Sequence, residues 1–254
     1  MKADVAAIIP AAGTGKRFGG SVPKTFVPLH GQPLLLHALK VFERHPAIGW
    51  IVVVAGADDQ IRVRALLARA KVTKAVSPCV GGASRAASVM RGFAAVPPQA
   101  AWVLVHDAAR PCVTDRLITR AIQSARRHGA VACGLPAALT IKAVDDRQRV
   151  RLTLDREQLW CMQTPQVFSR SWFAQALARL DGRPLEPWPD DAAVLEAAGF
   201  PVRVILGDPL NLKVTTREDL MLAEAILGNR GLRSEVRGRR SAIRKRRSEV
   251  STNS

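Results

Sequence analysis

Apolar residues fall along this chain in short, nearly continuous runs, separated by longer segments in which they recur every three or four positions. The runs are VAAII at 5–9, WIVVVA at 50–55, AWVLVH at 101–106 and VRVIL at 202–206. Continuous rather than alternating hydrophobicity predicts strands covered on both faces, as in a parallel sheet between helical layers. The intervening periodic stretches predict helices over 33–45, 58–70, 84–95, 114–128 and 216–227. Their ends carry matching signals: Pro33 near a first turn, Thr114 as a cap with Gly129 as a stop, and Thr215 or Thr216 before the last helix. The alternation reads as an α/β fold.

One segment breaks the rhythm. ALTIKAVDDRQRVRLTLD, at 138–155, holds two short runs of β-type alternation around Asp145-Asp146, which predicts a hairpin arm over about 137–157. A two-stranded ribbon is marginal without something to pack on, so the arm is expected to embrace a second copy of the chain.

With 254 residues the chain can bury a full core, as one large domain or one domain plus an appendage. The longest apolar stretch, WIVVVAGA at 50–57, is far short of the roughly 20 residues needed to cross a bilayer. Asp4 and Pro10 leave too short an apolar run for a secretory segment, so cytoplasmic residence is expected. Cys79, Cys112, Cys133 and Cys161 lie far apart with no C-x-x-C, which disfavours zinc and suits core thiols in a reducing compartment. The net charge of +17 suggests nucleic acid, but residues 228–254, with nine Lys or Arg and two Glu, carry +7 of it. That segment lacks apolar periodicity and reads as a solvated basic tail on a domain spanning 1–227. The chain has no Tyr and few aromatics near its basic runs, so a stacking platform for single strands is disfavoured. RNA binding through the tail is the alternative reading from a different class.

The chemistry concentrates after the strands, where open α/β sheets bind ligands. Residues 10–24 read PAAGTGKRFGGSVPK, a glycine loop leaving the first strand with Lys16, Arg17 and Lys24 beside its bared backbone. Successive N–H groups and cations suit a phosphate chain. A Walker A motif would need glycine at Pro10 and Ser or Thr at Arg17, and the dinucleotide fingerprint would need glycine at Phe18. After the third run stands His106-Asp107-Ala108-Ala109-Arg110-Pro111. Asp107 suits magnesium or substrate hydroxyls; Arg110 either forks onto a phosphate or pairs with Asp107 to shape the loop. His106 is not needed as a base, because an attacking phosphate is already ionised near neutral pH. At 81–93, GGASRAASVMRGF either reads a base edge through Gly82, Ala83 and Ser88 or is simply a capped amphipathic helix.

PAAGTGKRFGGSVPK, GGASRAASV, VLVHDAARP, LDREQLWCMQTPQVF and NLKVTTREDL occur in the order seen in the 2-C-methyl-D-erythritol 4-phosphate cytidylyltransferases, and the chain resembles that family over roughly 4–227. The resemblance implies a three-layer, Rossmann-like nucleotidyltransferase fold with a mostly parallel sheet and a projecting β-arm. It implies Mg2+-dependent transfer of a cytidylyl group from CTP to a polyol phosphate, with release of diphosphate. Carried over by position, Arg17 and Lys24 fall at the transition state, and Arg156 with Lys213 at the acceptor phosphate. Ala11, Ala12, Gly13, Thr14 and Gly15 form the phosphate loop, and Gly82, Ala83 and Ser88 the cytidine site. Asp107, Arg110, Thr140 and Thr164 fall near the sugar phosphate, Asp107 also near the metal. Thr140 and Arg156 lie on the arm, which in the family reaches a neighbouring subunit, so a homodimer with shared sites is implied. Ala83 stands where the family commonly has an acidic residue, and Pro189 where it usually has Thr, so contacts made there by side chains are lost. A cytidylyltransferase for a pentitol phosphate such as ribitol 5-phosphate is the nearest rival, and Thr140, Arg156 and Thr164 decide between them.

Overall fold

A computed structural model describes residues 2–13, 18, 23–180 and 188–230. In chain order its strands and helices are β1 (Val5–Pro10), β2 (Pro28–Leu29), β3 (Gln32–Pro33), α1 (Leu34–Arg44), β4 (Ile48–Ala55), α2 (Gln60–Arg69), β5 (Cys79–Val80), α3 (Arg85–Ala94) and β6 (Trp102–Val105). There follow α4 (Asp115–His128), β7 (Ala130–Pro136), β8 (Ile141–Val144), β9 (Val150–Leu154), β10 (Trp160–Ser169), α5 (Arg170–Arg179), α6 (Ala192–Ala197) and β11 (Arg203–Leu206). A last helix, α7, runs over 217–230. Residues 231–254 of the basic tail, and Thr14, Gly15, Lys16 and Arg17 of the glycine loop, lie outside the described residues.

Seven strands form one sheet in the order β11-β7-β10-β6-β1-β4-β5. β1 pairs in parallel with β4 and β6, and β7 with β11, whereas β10 runs antiparallel to both β6 and β7. The unbroken run in β1 serves both faces. Val5, Ala7 and Ile9 join one apolar cluster with α1, α2 and α4, while Ala6 and Ile8 join a second with α3, α5 and α6. Burying a Val, Leu, Ile or Phe side chain stabilises by about 1.5–3 kcal/mol, and this central strand has no solvent-exposed position before Pro10. A third cluster, with Phe18, Leu29, Leu34, Cys112, Val214 and Ala223, fastens α7 beside the glycine loop.

Local signals set the helix ends where the sequence places them. The Ser84 and Thr114 hydroxyls accept from the amides of Ala87 and Leu117. α4 stops at Gly129, whose φ of +83° a side-chain-bearing residue adopts only with strain.

The strands β7 and β10 escape the apolar-run pattern, because Gly134, Gln163, Pro165 and Gln166 interrupt them. Those glutamines are satisfied from distant loops: Gln163 exchanges bonds with the Asp208 backbone, and the Gln166 side-chain oxygen accepts the amides of Asp191 and Ala192. The alternating segment forms the hairpin, with Ile141 opposite Leu154 and Ala143 opposite Leu152. The Asp145 carboxylate accepts the amides of Arg147 and Arg149 at its turn. The strands of this arm pair with each other and not with the seven-stranded sheet, leaving Leu139 80% and Leu152 55% exposed. Among the described residues no helix is long and apolar enough to cross a membrane.

Candidate active site

The carboxyl end of β1 is tied to its neighbours on either side. Ala11 donates its amide to Val54, His106 donates to Ile8, and Gly81 donates to Ala55, so three connecting loops meet at one rim. A fourth segment joins them where the Val214 amide donates to Ala109 at 2.8 Å, placing Lys213 over the loop after β6. These loops enclose a cavity of about 550 Å³. Its walls are Ala11 to Gly13, Lys24 and Thr25, Gly82 to Arg85 with Ser88, Asp107 to Ala109, Lys213 and Thr215. A side chain at Gly81 would collide with Ala12, so glycine is what lets the second loop approach the first.

Asp107 is the carboxylate among the described lining residues, and three cations surround it. Lys213 Nζ lies 2.9 Å from Oδ2, Arg85 Nε 3.1 Å from Oδ1 and Arg110 Nε 3.6 Å from Oδ2. Burial alone would raise its pKa, but Arg85, Lys213 and Arg110 outweigh burial and hold it well below the usual carboxylate range. Arg85 also forks onto Asp191 at 3.1 and 2.8 Å. Burial opposes the charge on this guanidinium, yet Asp191 and Asp107 together keep it firmly cationic. Beside Lys213, the Lys24 ammonium donates to the Val214 carbonyl at 2.7 Å.

His106 is fully buried behind this wall. Its Nε2 bonds the Arg110 carbonyl, an acceptor, so Nε2 carries the proton and Nδ1 accepts from the Thr164 hydroxyl at 3.1 Å. Desolvation pushes its pKa down to about 4, which leaves it neutral with both nitrogens occupied. The Thr164 oxygen in turn accepts the Asp107 amide at 3.0 Å.

Ala11, Ala12, Gly13, Lys24, Gly82, Ala83, Ser88, Asp107 and Lys213 therefore converge on one cavity. Arg110 and Thr164 stand behind it. Arg110 donates to the carbonyls of Asn211 and Met162, so it shapes the loop rather than presenting its fork to the cavity. The Gly82 amide donates to Ser88 Oγ, whose own hydrogen goes to the Ser84 carbonyl, so within the chain both groups brace the start of α3. Thr140 and Arg156 do not line the cavity; both are exposed at the foot of the arm, where Arg156 donates to the Ala138 carbonyl. Sequence reading passed over Arg85 and Asp191 as site residues, although Arg85 falls inside a quoted motif and Asp191 stands two positions after Pro189; Thr25 and Thr215 of the lining were likewise missed.

Cations gathered around the cavity, with the Ser84 and Ser88 hydroxyls bonded within the start of α3 and no histidine among the described lining residues, suit charge neutralisation rather than covalent catalysis. This fold and this site define an α/β nucleotidyltransferase. A sequence model described as "IspD: 2-C-methyl-D-erythritol 4-phosphate cytidylyltransferase" matches residues 5–229. The chain belongs to this family.

It is 39% identical over 227 residues to a protein of that name from Alkaliphilus metalliredigens, covering 89% of this chain and 94% of the relative. A second, from Symbiobacterium thermophilum, is 41% identical over 231 residues, covering 89% and 94%. Among solved structures, the 4-diphosphocytidyl-2C-methyl-D-erythritol synthase of Anaerococcus prevotii superimposes with a TM-score of 0.76 at 29% identity, over 88% of this chain and 98% of that one. The 2-C-methyl-D-erythritol 4-phosphate cytidylyltransferase of Thermus thermophilus gives 0.71 at 32%, over 89% and 98%.

Proposed function

We propose that this chain transfers the cytidylyl group of CTP to the phosphate of 2-C-methyl-D-erythritol 4-phosphate, releasing diphosphate, on the route to isoprenoid precursors. The observation that carries the reading is the convergence of Lys24, Lys213 and Arg85 on one cavity at the sheet's carboxyl rim, in a chain matched to the family over 5–229. An acceptor phosphate oxygen attacks the α-phosphorus of CTP in line, and diphosphate departs from the opposite side. The attacking phosphate is already an anion near neutral pH, which agrees with a buried, neutral His106 that takes no part in proton transfer.

Lys24 stabilises charge accumulating on the phosphoryl oxygens, and Arg17 is proposed to join it from the glycine loop. Lys213, two-fifths exposed at its side chain, exchanges Asp107 for the acceptor phosphate. The donor set fits a magnesium ion carried in with CTP: the ion commonly takes one or two carboxylates beside phosphate oxygens, and Asp107 supplies one. Such an ion would neutralise phosphate charge and orient the leaving group. The exposed apolar arm supports a homodimer in which Thr140 and Arg156 of one copy serve the cavity of the other.

The test is to incubate the full chain with magnesium, 2-C-methyl-D-erythritol 4-phosphate and each nucleoside triphosphate in turn, following diphosphate release. CTP should give the fastest release. Release with ribitol 5-phosphate but not with 2-C-methyl-D-erythritol 4-phosphate would overturn the acceptor assignment.

A further inference from the structure

Arg85 is the first residue of α3, a position where the helix dipole disfavours a cation. Two carboxylates compensate. Asp191, almost wholly buried and outside the cavity lining, takes both terminal nitrogens of the guanidinium, leaving Nε to hold Asp107 Oδ1 at 3.1 Å. Asp191 is itself fixed, because the Gln166 side-chain oxygen accepts its amide at 3.1 Å while the Gln166 amide nitrogen donates to Asp190 at 2.8 Å. The other oxygen of Asp107 faces Lys213, the more exposed of the two cations that hold the carboxylate most closely.

We propose that Arg85, anchored by Asp191, is a positioning residue for the acceptor end of the site: it keeps Asp107 in place so that Lys213 can leave it for an incoming phosphate. The inference rests on the reading of function given above. With the anchor intact, Asp107 has Arg85 as a standing counter-ion, and the acceptor phosphate competes for Lys213 against a carboxylate already paired. With the anchor broken, Asp107 claims Lys213 more strongly and follows it, so the acceptor binds less well while CTP binding is spared.

Steady-state kinetics of the full chain with Asp191→Asn, Arg85→Lys and the double variant test this. Each single change should raise KM for the acceptor about tenfold while kcat and KM for CTP stay within about twofold, and the double variant should be no worse than either single one, as for two residues in one coupled contact. Asp191→Glu, which keeps the charge, should recover part of the loss. Calorimetric titration with inorganic phosphate gives a readout independent of transfer: Asp191→Asn should weaken its binding by a similar factor. Equal rises in KM for CTP, multiplying effects in the double variant, or unchanged phosphate binding in Asp191→Asn would overturn the role of Arg85. Wild-type protein that binds phosphate yet transfers nothing to the acceptor would instead overturn the functional reading.

Discussion

In the proposed reaction, the Lys213–Asp107 ion pair is the contact that the acceptor phosphate opens. Because Asp107 retains Arg85 and Arg110 when Lys213 is removed, Lys213→Ala should leave the thermal midpoint nearly unchanged. Its kcat/KM for the acceptor should fall by about 10²–10³-fold, the scale seen when one preorganised charge-stabilising group is lost; a smaller than fivefold loss would place the acceptor elsewhere. The thiols separate just as cleanly. Burial pushes Cys133 up to about 12 and Cys112 to about 11, whereas Cys161 is exposed on β10. Alkylation of native protein at pH 7.5, a value chosen as about one unit below the usual thiol pKa, should label Cys161 first, which mass spectrometry reads directly. Lys24, Asp107 and Lys213 were legible in the sequence because each follows an apolar strand or stands in an ordered motif. The Arg85–Asp191 contact was not, since the two residues lie 106 positions apart and Arg85 reads locally as an ordinary helix start.

Caps and apolar runs were the most readable elements. Thr114 and Gly129 bound α4 as their chemistry requires, and Thr114→Ala should cost about 1 kcal/mol in urea unfolding through loss of the bond to the Leu117 amide. The strands β7 and β10 were unreadable for a physical reason: their interior glutamines look solvent-facing until the Asp208 and Asp190–Asp191 loops close over them. The hairpin was legible from alternation alone, and its bend follows Asp145-Asp146 with Gln148 at φ +59°. Leu152 faces solvent in the single chain, so Leu152→Glu should leave each subunit folded. If the arm joins two copies, light scattering after gel filtration should show that variant at half the wild-type mass. Equal masses would remove the arm from the interface.

Across the whole molecule, acid sensitivity follows from the buried wall behind the cavity. Between pH 6.5, the ordinary histidine value, and about 4, the unfolded chain takes up a proton that His106 refuses in the fold. The unfolded state binds more protons in that window, so stability falls as pH falls, by about 3 kcal/mol if His106 acts alone, and is fully present above 6.5. His45, which burial also pushes down, adds to the loss in the same direction. Urea midpoints measured across this range should decline; a flat profile would mean that the imidazole charges without unfolding. Since β10 reverses the sheet's direction, the excursion between Pro136 and Trp160 departs from and returns to the cavity side without needing a crossover. That stretch can lengthen, shorten or change composition while the central strands stay undisturbed; if the arm serves the acceptor and joins two copies, acceptor preference and self-association can diverge within one loop-like insert.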